Sequence, residues 1–515
     1  MKHKIITGSL AILLLISAGC TKNFDSINTD PTKPTTVTSE QYLYPPIIKN
    51  ALSNYAYRSQ FEAAVCGDYY ANQYVSGFDD DWTAGSVEGS FQWSLYNQLR
   101  DVENLRILAN TRGDKNNEGA ALVLRCWMFQ VMTDNFGDIP YTQAVQGKTA
   151  GIFTAPYDTQ EVIYSALMDS LKVANSLFAD GTDQITGDIL MNGDVMRWRE
   201  FANGLRLRLL MRMSNVSGSS IDVAGDMNAI ASDPTTYPVF ASYNDQAALE
   251  FLPDQGNEFP AYHNNPIGDY HLSTTFKANL DTLNDPRIAY YAMPTPNSFG
   301  GAPQYGAVPN GVSSQTDASY NGGPNFQSQE SPILMPINAY QEASPIAAQG
   351  MILSCAEVQF ILAEGKERGL ITGGDDASDY YLRGVVDQFS YDSSRLVVLG
   401  ATGTGIFPTA SAITPTAGYY AQPLVAYSGT TEEKLWKIRI QRWFSMFYTG
   451  FEGWSEWRRT GVPTQTAAGP NSAISTWPTR VRYPLSEISY NQANYNAAVQ
   501  VQGPDDLTTK IWWEK

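Results

Sequence analysis

Apolar positions at helical spacing recur along most of the chain and are densest in residues 434–463. There Trp436, Ile440, Trp443, Phe444 and Phe447 fall at i, i+4, i+7, i+8 and i+11, which makes one broad aromatic face. Trp454 and Trp457 follow. Gly450 and then Gly461 with Pro463 mark expected helix stops. A face this bulky must be buried, so the spacing predicts a hub on which neighbouring helices dock. Glu452 and Glu456 in this stretch read as ion-pair partners of Arg458 and Arg459, rather than as the carboxylate pair of a glycosidase.

The same periodicity predicts helices upstream. A capping-box pattern at residues 38–41 precedes a face of Ile47, Ile48, Ala51, Leu52 and Tyr55. Residues 88–109 carry Trp93, Tyr96, Leu99, Val102 and Leu105 in register, and the strongly apolar stretch 118–136 stops at Gly137 and Pro140. A second capping-box pattern, Asp158 to Glu161, opens a helix with Val162, Ala166, Leu171, Ala174 and Leu177 on one face. In residues 195–213 Trp198, Phe201, Leu205 and Leu209 point inward. The five Arg of that helix read as a solvated or Glu-paired face.

From residue 234 to residue 345 the helical period is lost, and Pro, Gly, Asn, Ser and Tyr dominate. Loops this long in a folded chain are functional or disordered. Helices are expected again at 351–368 and 378–391, with a loop-rich insertion at 399–427 and a turn-rich tail at 480–515. Few strands are expected, and those short. The expected fold is mostly α, with helices joined in hairpins in the manner of a solenoid and one large irregular lobe.

The N-terminus adds a processing signal. Lys2 and Lys4 precede an apolar run, Ile5 to Ala18, too short to span a bilayer, which ends Ser17-Ala18-Gly19-Cys20. Small residues followed by Cys have the form of a bacterial lipobox, so Cys20 is the expected lipid-attachment residue, although Ser17 stands where Leu is usual. This divides the chain into a signal peptide (1–19), a lipidated tether (20–37) and one body (38–515). Within the body we expect a helical core at about 38–233 and 346–463, a loop-rich lobe at about 234–345 and a C-terminal segment, 464–515.

Charge and chemistry narrow the function. The formal net charge of −18 argues against binding a phosphate backbone, so no nucleic-acid partner is expected. No nucleophile elbow, zinc-protease motif, P-loop or dinucleotide turn is present, and no enzymatic activity is expected. His263 and His271 read as solvent-facing loop imidazoles, and Cys66, Cys126 and Cys355 as buried free thiols. Asp79, Asp80 and Asp81 could offer oxygen ligands to a structural Ca²⁺. The alternating ligands and Gly of a calcium loop are missing, however, so no cofactor is expected. The surrounding run GDYYANQYVSGFDDDW interleaves aromatic rings with Asp and Asn. Rings that stack on pyranose faces, with carboxylates and amides to bond hydroxyls, suit a sugar site and equally a peptide groove.

Several stretches, in order, resemble the SusD/RagB outer-membrane lipoproteins of Bacteroidetes. They are the lipobox at Cys20, INTDP at 27–31, LRCWMFQVMTDNFGDIPY at 124–141, RWREFANGLRLRL from Arg197 and DPR at 285–287. CAEVQFILAEGKERG from Cys355, QRWFSMFYTGFEGWSEWRRTGVP from Gln441, RVRYPLSE from Arg480 and the KIWW end complete the set. The resemblance implies a core of tetratricopeptide-like helix pairs with an irregular lobe, and no catalysis. It implies a lipid-anchored protein on the outer face of the outer membrane, which captures oligosaccharides or peptides for a SusC-like TonB-dependent transporter. A lipoprotein glycan-degrading enzyme and a non-catalytic helical scaffold are the alternatives. Ligand residues do not carry over by motif, so local chemistry names the candidates: Tyr69, Tyr74, Phe78, Asp80, Trp82, Tyr305, Tyr320 and Phe326.

Overall fold

The computed structural model describes residues 39–72, 90–264, 269–312, 314–334, 344–400, 407–465, 469 and 472–515. Helix α1 (Tyr44–Gln60) opens with Pro45 and Pro46 in its first turn, where a missing N–H removes no intrahelical bond. Its buried stripe includes the predicted Ile47, Ile48, Ala51, Leu52 and Tyr55. Of the capping box expected at 38–41, Thr38 lies outside the described residues, and the Ser39 side chain caps no backbone N–H. Helices α2 (Ser90–Arg112) and α3 (Lys115–Phe136) form a hairpin across Gly113, whose φ of 77° is a left-handed value that favours glycine.

In α4 (Gln160–Asp180) the buried face differs from the expected one. Ile163, Tyr164, Leu167, Leu171, Ala174 and Phe178 are buried, while Val162 is 48% exposed. Turning Tyr164 and Phe178 inward removes more apolar area from water than burying Val162 and Leu177 would. The expected Asp158 cap does not form either. Its carboxylate instead accepts the backbone N–H groups of Tyr141 and Thr142. Helix α5 (Val195–Met213) is capped by Asp194 and followed by α6 (Val223–Ser232). α2 packs on α3, α3 on α4, α4 on α5 and α5 on α6, the nearest-neighbour stacking of a helical solenoid.

Four short strands lie among the described residues. β1 (Tyr70–Asn72) and β2 (Ala247–Glu250) pair antiparallel with β3 (Tyr270–Leu272) and β4 (Gln349–Leu353), respectively. Helix α7 (Thr274–Thr282) follows β3. Met351, Ile352 and Leu353, expected to begin a helix, form part of buried β4. A short apolar run fits either element, and Ser354 caps the helix that comes after it. That helix is α8 (Cys355–Glu367), followed by α9 (Ala377–Leu399), α10 (Thr431–Ser445), α11 (Gly450–Thr460) and α12 (Gln492–Gln502). Gly450 starts α11 instead of stopping α10. A Cβ there would lie 2.2 Å from the Ser59 carbonyl oxygen, so glycine permits the close approach to α1. Gly461 ends α11 as expected. The turn-rich tail contains α12 and a buried Trp513. Cys66, Cys126 and Cys355 are free and buried, as expected. No helix among the described residues is long and apolar enough to cross a membrane.

α8 packs against α5, α9 and α10, so the second half of the chain closes around α5. Arg206, Arg208 and Arg212 of α5 are buried, which corrects the solvated face as an option for those three. Arg208 pairs with Glu357 at 2.7 Å and with Glu452 at 3.4 Å, and Arg212 pairs with Asp134 and Glu452. Arg442 lies 3.0 Å from Glu456 and 3.5 Å from Glu357, and Arg459 lies 2.6 Å from both Glu364 and Glu456. The hub glutamates are therefore ion-paired as expected, but Glu452 reaches α5 rather than Arg458. The Arg458 guanidinium lies 4.0 Å from the Trp454 ring centroid and donates to the Thr479 and Asp134 carbonyls.

Burial by itself would push these carboxyls up, but the guanidinium groups reverse it. Arg208 and Arg212 hold Glu452 down at about 2, and Arg459 is the largest influence holding Glu364 low. Replacing Glu452 by Gln leaves two buried guanidinium groups short of counter-charge, so Glu452→Gln is expected to lower stability by about 3–5 kcal/mol. The folded-state value lies below the ordinary 4.5, so the contribution is complete above about pH 4.5 and is lost as pH falls through about 2. Urea unfolding across that window checks both. The wild-type protein should lose stability on acidification more steeply than the variant, and parallel curves would rule the assignment out.

Candidate ligand-binding region

The loop lobe is held on a small frame of paired backbone. After the short helix Glu62–Cys66 the chain turns at Gly67 and Asp68 into β1. β1 pairs with β3 so that Ala71 faces His271 and Asn72 faces Tyr270. Single bridges extend the frame on either side, from His271 to Gln329 and from Ser273 to Val308. Asn310 donates to the Asp68 carboxylate at 2.6 Å, and the Tyr70 hydroxyl donates to the Tyr291 carbonyl while accepting the Ser331 N–H. Ala71, Val308 and Val312 form a small apolar cluster, with Tyr320 packed on it.

This frame brings one group of expected ligand residues together. Ser328 N–H donates to the Gly306 carbonyl, and Gly306 N–H donates to the Ser328 hydroxyl, so the stretch after Tyr305 runs beside the one after Phe326. A Cβ on Gly306 would lie 1.9 Å from the Phe326 carbonyl oxygen, a contact only glycine allows. Asn321, at φ 57°, donates to the Ala307 carbonyl and fixes the turn that presents Tyr320. Tyr305 and Tyr320 are half-buried, and Phe326 is 44% exposed. Burial pushes the Tyr305 hydroxyl up to about 12, so the side chain is a neutral phenol.

Tyr69 is a correction. Its ring is fully buried and stacks on Trp443 at 4.5 Å, and its hydroxyl donates to the Trp443 carbonyl. Gly67 and Gly453 leave room for it, since a Cβ on either would lie 2.7 Å or less from an atom of that side chain. The interleaving of rings with Asp and Asn around Tyr69 hid this, because its buried partner lies far along the chain. Tyr74, Phe78, Asp80 and Trp82 lie outside the described residues, as do Asp79 and Asp81. These positions fall between Asn72 and Ser90, the described residues on either side.

His271, expected to face solvent, is buried in β3, and the side chain of His263 lies outside the described residues. Beside His271, burial raises the Glu330 carboxyl to about 7. No group of three metal-ligating side chains occurs among the described residues. The Asp285-Pro286-Arg287 motif is structural. Arg287 is buried, bonds Asp285 and reaches Gln441 on α10 at 2.8 Å.

Stacked helix pairs carrying a loop frame define a helical-repeat protein with an appended loop lobe. The sequence matches a family described as "Starch-binding associating with outer membrane" over residues 31–484, and the chain belongs to this SusD-like family. Among solved structures, a SusD homologue from Bacteroides fragilis is 25% identical, with a TM-score of 0.73 over 93% of this chain and 100% of its own. A chitin-binding protein is 25% identical, with a TM-score of 0.72 and the same coverage. A chitin-binding SusD homologue from Flavobacterium johnsoniae, 21% identical with a TM-score of 0.71 over 92% of this chain and 98% of its own, shares the fold. No curated protein matches the chain.

The two kinds of ring separate in a stability measurement. Tyr69→Ala empties a packed stack and is expected to cost about 3–5 kcal/mol, whereas Phe326→Ala should stay within about 0.5 kcal/mol of wild type. Denaturant midpoints of the two variants check this, and equal losses would place Phe326 in the core.

Proposed function

We propose that this protein captures oligosaccharides at the outer membrane and passes them to a SusC-like TonB-dependent transporter. The observation that carries the reading is the family match over residues 31–484, because that family is described as starch-binding and associating with the outer membrane. The chitin-binding description of a solved relative 25% identical supports the same ligand class. So does the chemistry of the loop frame, where Tyr305, Tyr320 and Phe326 offer rings to pyranose faces beside amide and backbone groups that can bond hydroxyls.

On this reading Tyr74, Phe78, Asp80 and Trp82 join those rings from the segment that begins after Asn72. Cys20 carries the acyl chains that hold the protein on the membrane, facing the exterior, with more than one chain needed for a stable anchor. The protein acts by binding alone. Glu452 and Glu456, the pair most like hydrolytic carboxylates in sequence, are buried between guanidinium groups. Peptide capture by the same rings is the competing ligand class.

Calorimetry with maltohexaose and chitohexaose tests the ligand. Trp82→Ala and Phe326→Ala are each expected to weaken the better binder about fivefold or more, the share of one stacked ring. Unchanged affinity in both variants, or binding of a peptide pool in preference to either sugar, overturns the reading. The anchor has its own test. Cys20→Ser should abolish incorporation of labelled palmitate and release the protein from the outer-membrane fraction, and retained label would place the acyl chain elsewhere.

A further inference from the structure

A groove of about 670 Å³ runs along α2, between that helix, residues 140–155 and the turn at 487–491. This is within the roughly 300–1,000 Å³ of small-ligand sites. Its lining shares no residue with the loop frame. The floor is aromatic and fixed. Trp93 packs edge-on against Phe136 and Tyr483 at 5.1 and 5.9 Å, and the Tyr96 hydroxyl donates to the Pro140 carbonyl.

One wall is a row on α2. Asn97, Arg100, Asp101 and Asn104 stand at i, i+3, i+4 and i+7, on one helical face. All four are exposed, and none makes a side-chain hydrogen bond or ion pair with another described residue. The facing wall carries Phe153, which at 86% is the most exposed large apolar side chain among the described residues. Packing among the described residues does not account for that ring. Val145, on the same wall, has φ 56°, an outlier for a β-branched residue of the kind that gathers at binding sites.

The lining selects a ligand class. Arg100 and Lys148 are set against Asp101, Glu103 and Glu487, so the groove favours neither an anion nor a cation strongly. It offers an aromatic face together with donors and acceptors interspersed at short spacing. A sugar hydroxyl both donates and accepts, and the C–H face of a pyranose stacks on a ring. We infer that this groove is a second carbohydrate site for a short neutral oligosaccharide. Phe153 stacks on a sugar ring, and Asn97, Arg100, Asp101 and Asn104 bond its hydroxyls. The inference rests on the oligosaccharide reading of the loop frame. Two sites on one chain would grip a long polysaccharide more tightly than either alone, because the second contact is intramolecular.

Amide hydrogen exchange on the whole protein, with maltohexaose or chitohexaose at millimolar concentration, tests it. Protection is expected both at 305–326 and at 97–107 with 147–155. The double variant Phe153→Ala, Asn104→Ala should lose the groove protection and keep that at 305–326. Protection at 305–326 alone overturns the second site and leaves the oligosaccharide reading standing. Protection at neither place overturns both. Groove protection by a casein digest but by neither sugar overturns the inference and reassigns the groove to protein docking.

Discussion

Charge pairing inside the helical body is the constraint on which its geometry turns. Asp134, Glu357, Glu364, Glu452 and Glu456 are buried, and each touches at least one guanidinium group among Arg208, Arg212, Arg442 and Arg459. Asp134 also accepts the Tyr164 hydroxyl and the Trp513 indole N–H. Taking such ions out of water costs several kcal/mol apiece, and only close pairing offsets it. The pairs join α3, α5, α8, α10 and α11. A shift of any one helix along its axis strands a charge, so the network sets the register of helices whose apolar faces alone would tolerate sliding.

That register reaches the loop lobe through one stack of rings. Trp443 lies on α10, next to Arg442 of the ion network. Its ring packs on Tyr69 and its indole N–H donates to the Gly67 carbonyl. Phe276 of α7 meets both rings edge-on at 5.2 Å. The base of β1 is thus clamped to the helical core on one side and to β3 on the other. The buried core and the loop lobe meet at Tyr69 and Tyr70.

Much of this was legible in the sequence where a residue's neighbours lie close along the chain. The stripe of α1, the inward apolar residues of α5 and the end of α11 at Gly461 all follow from periodicity and glycine chemistry within a few residues. What was not legible depends on distant partners. Arg208 reads as a surface residue until Glu357, 149 positions on, is folded against it. Tyr69 reads as a ligand ring until Trp443 covers it, 374 positions away. Gly450 reads as a stop because Ser59 is not visible from its own surroundings. The loop frame was half legible. Ring density marked both segments, but only the folded frame puts Ala71 in the cluster on which Tyr320 packs. The groove along α2 gave no local sign, since Phe153 in a turn looks like any other apolar loop residue.

The contact between Trp513 and Asp134 spans 379 positions, and that separation is also a delay. A chain made N-terminus first, at about 5–20 residues per second, presents Asp134 tens of seconds before the indole that completes its surroundings. Glu452 reaches Arg212 only after 240 further residues have been added. Until then Arg212 can pair only with Asp134, and the second carboxylate that balances Arg208 and Arg212 is missing. The early helices can form and pair loosely, but they cannot dry their shared interior. The shared interior of α3 and α5 is therefore completed only by residues of the distal third of the chain.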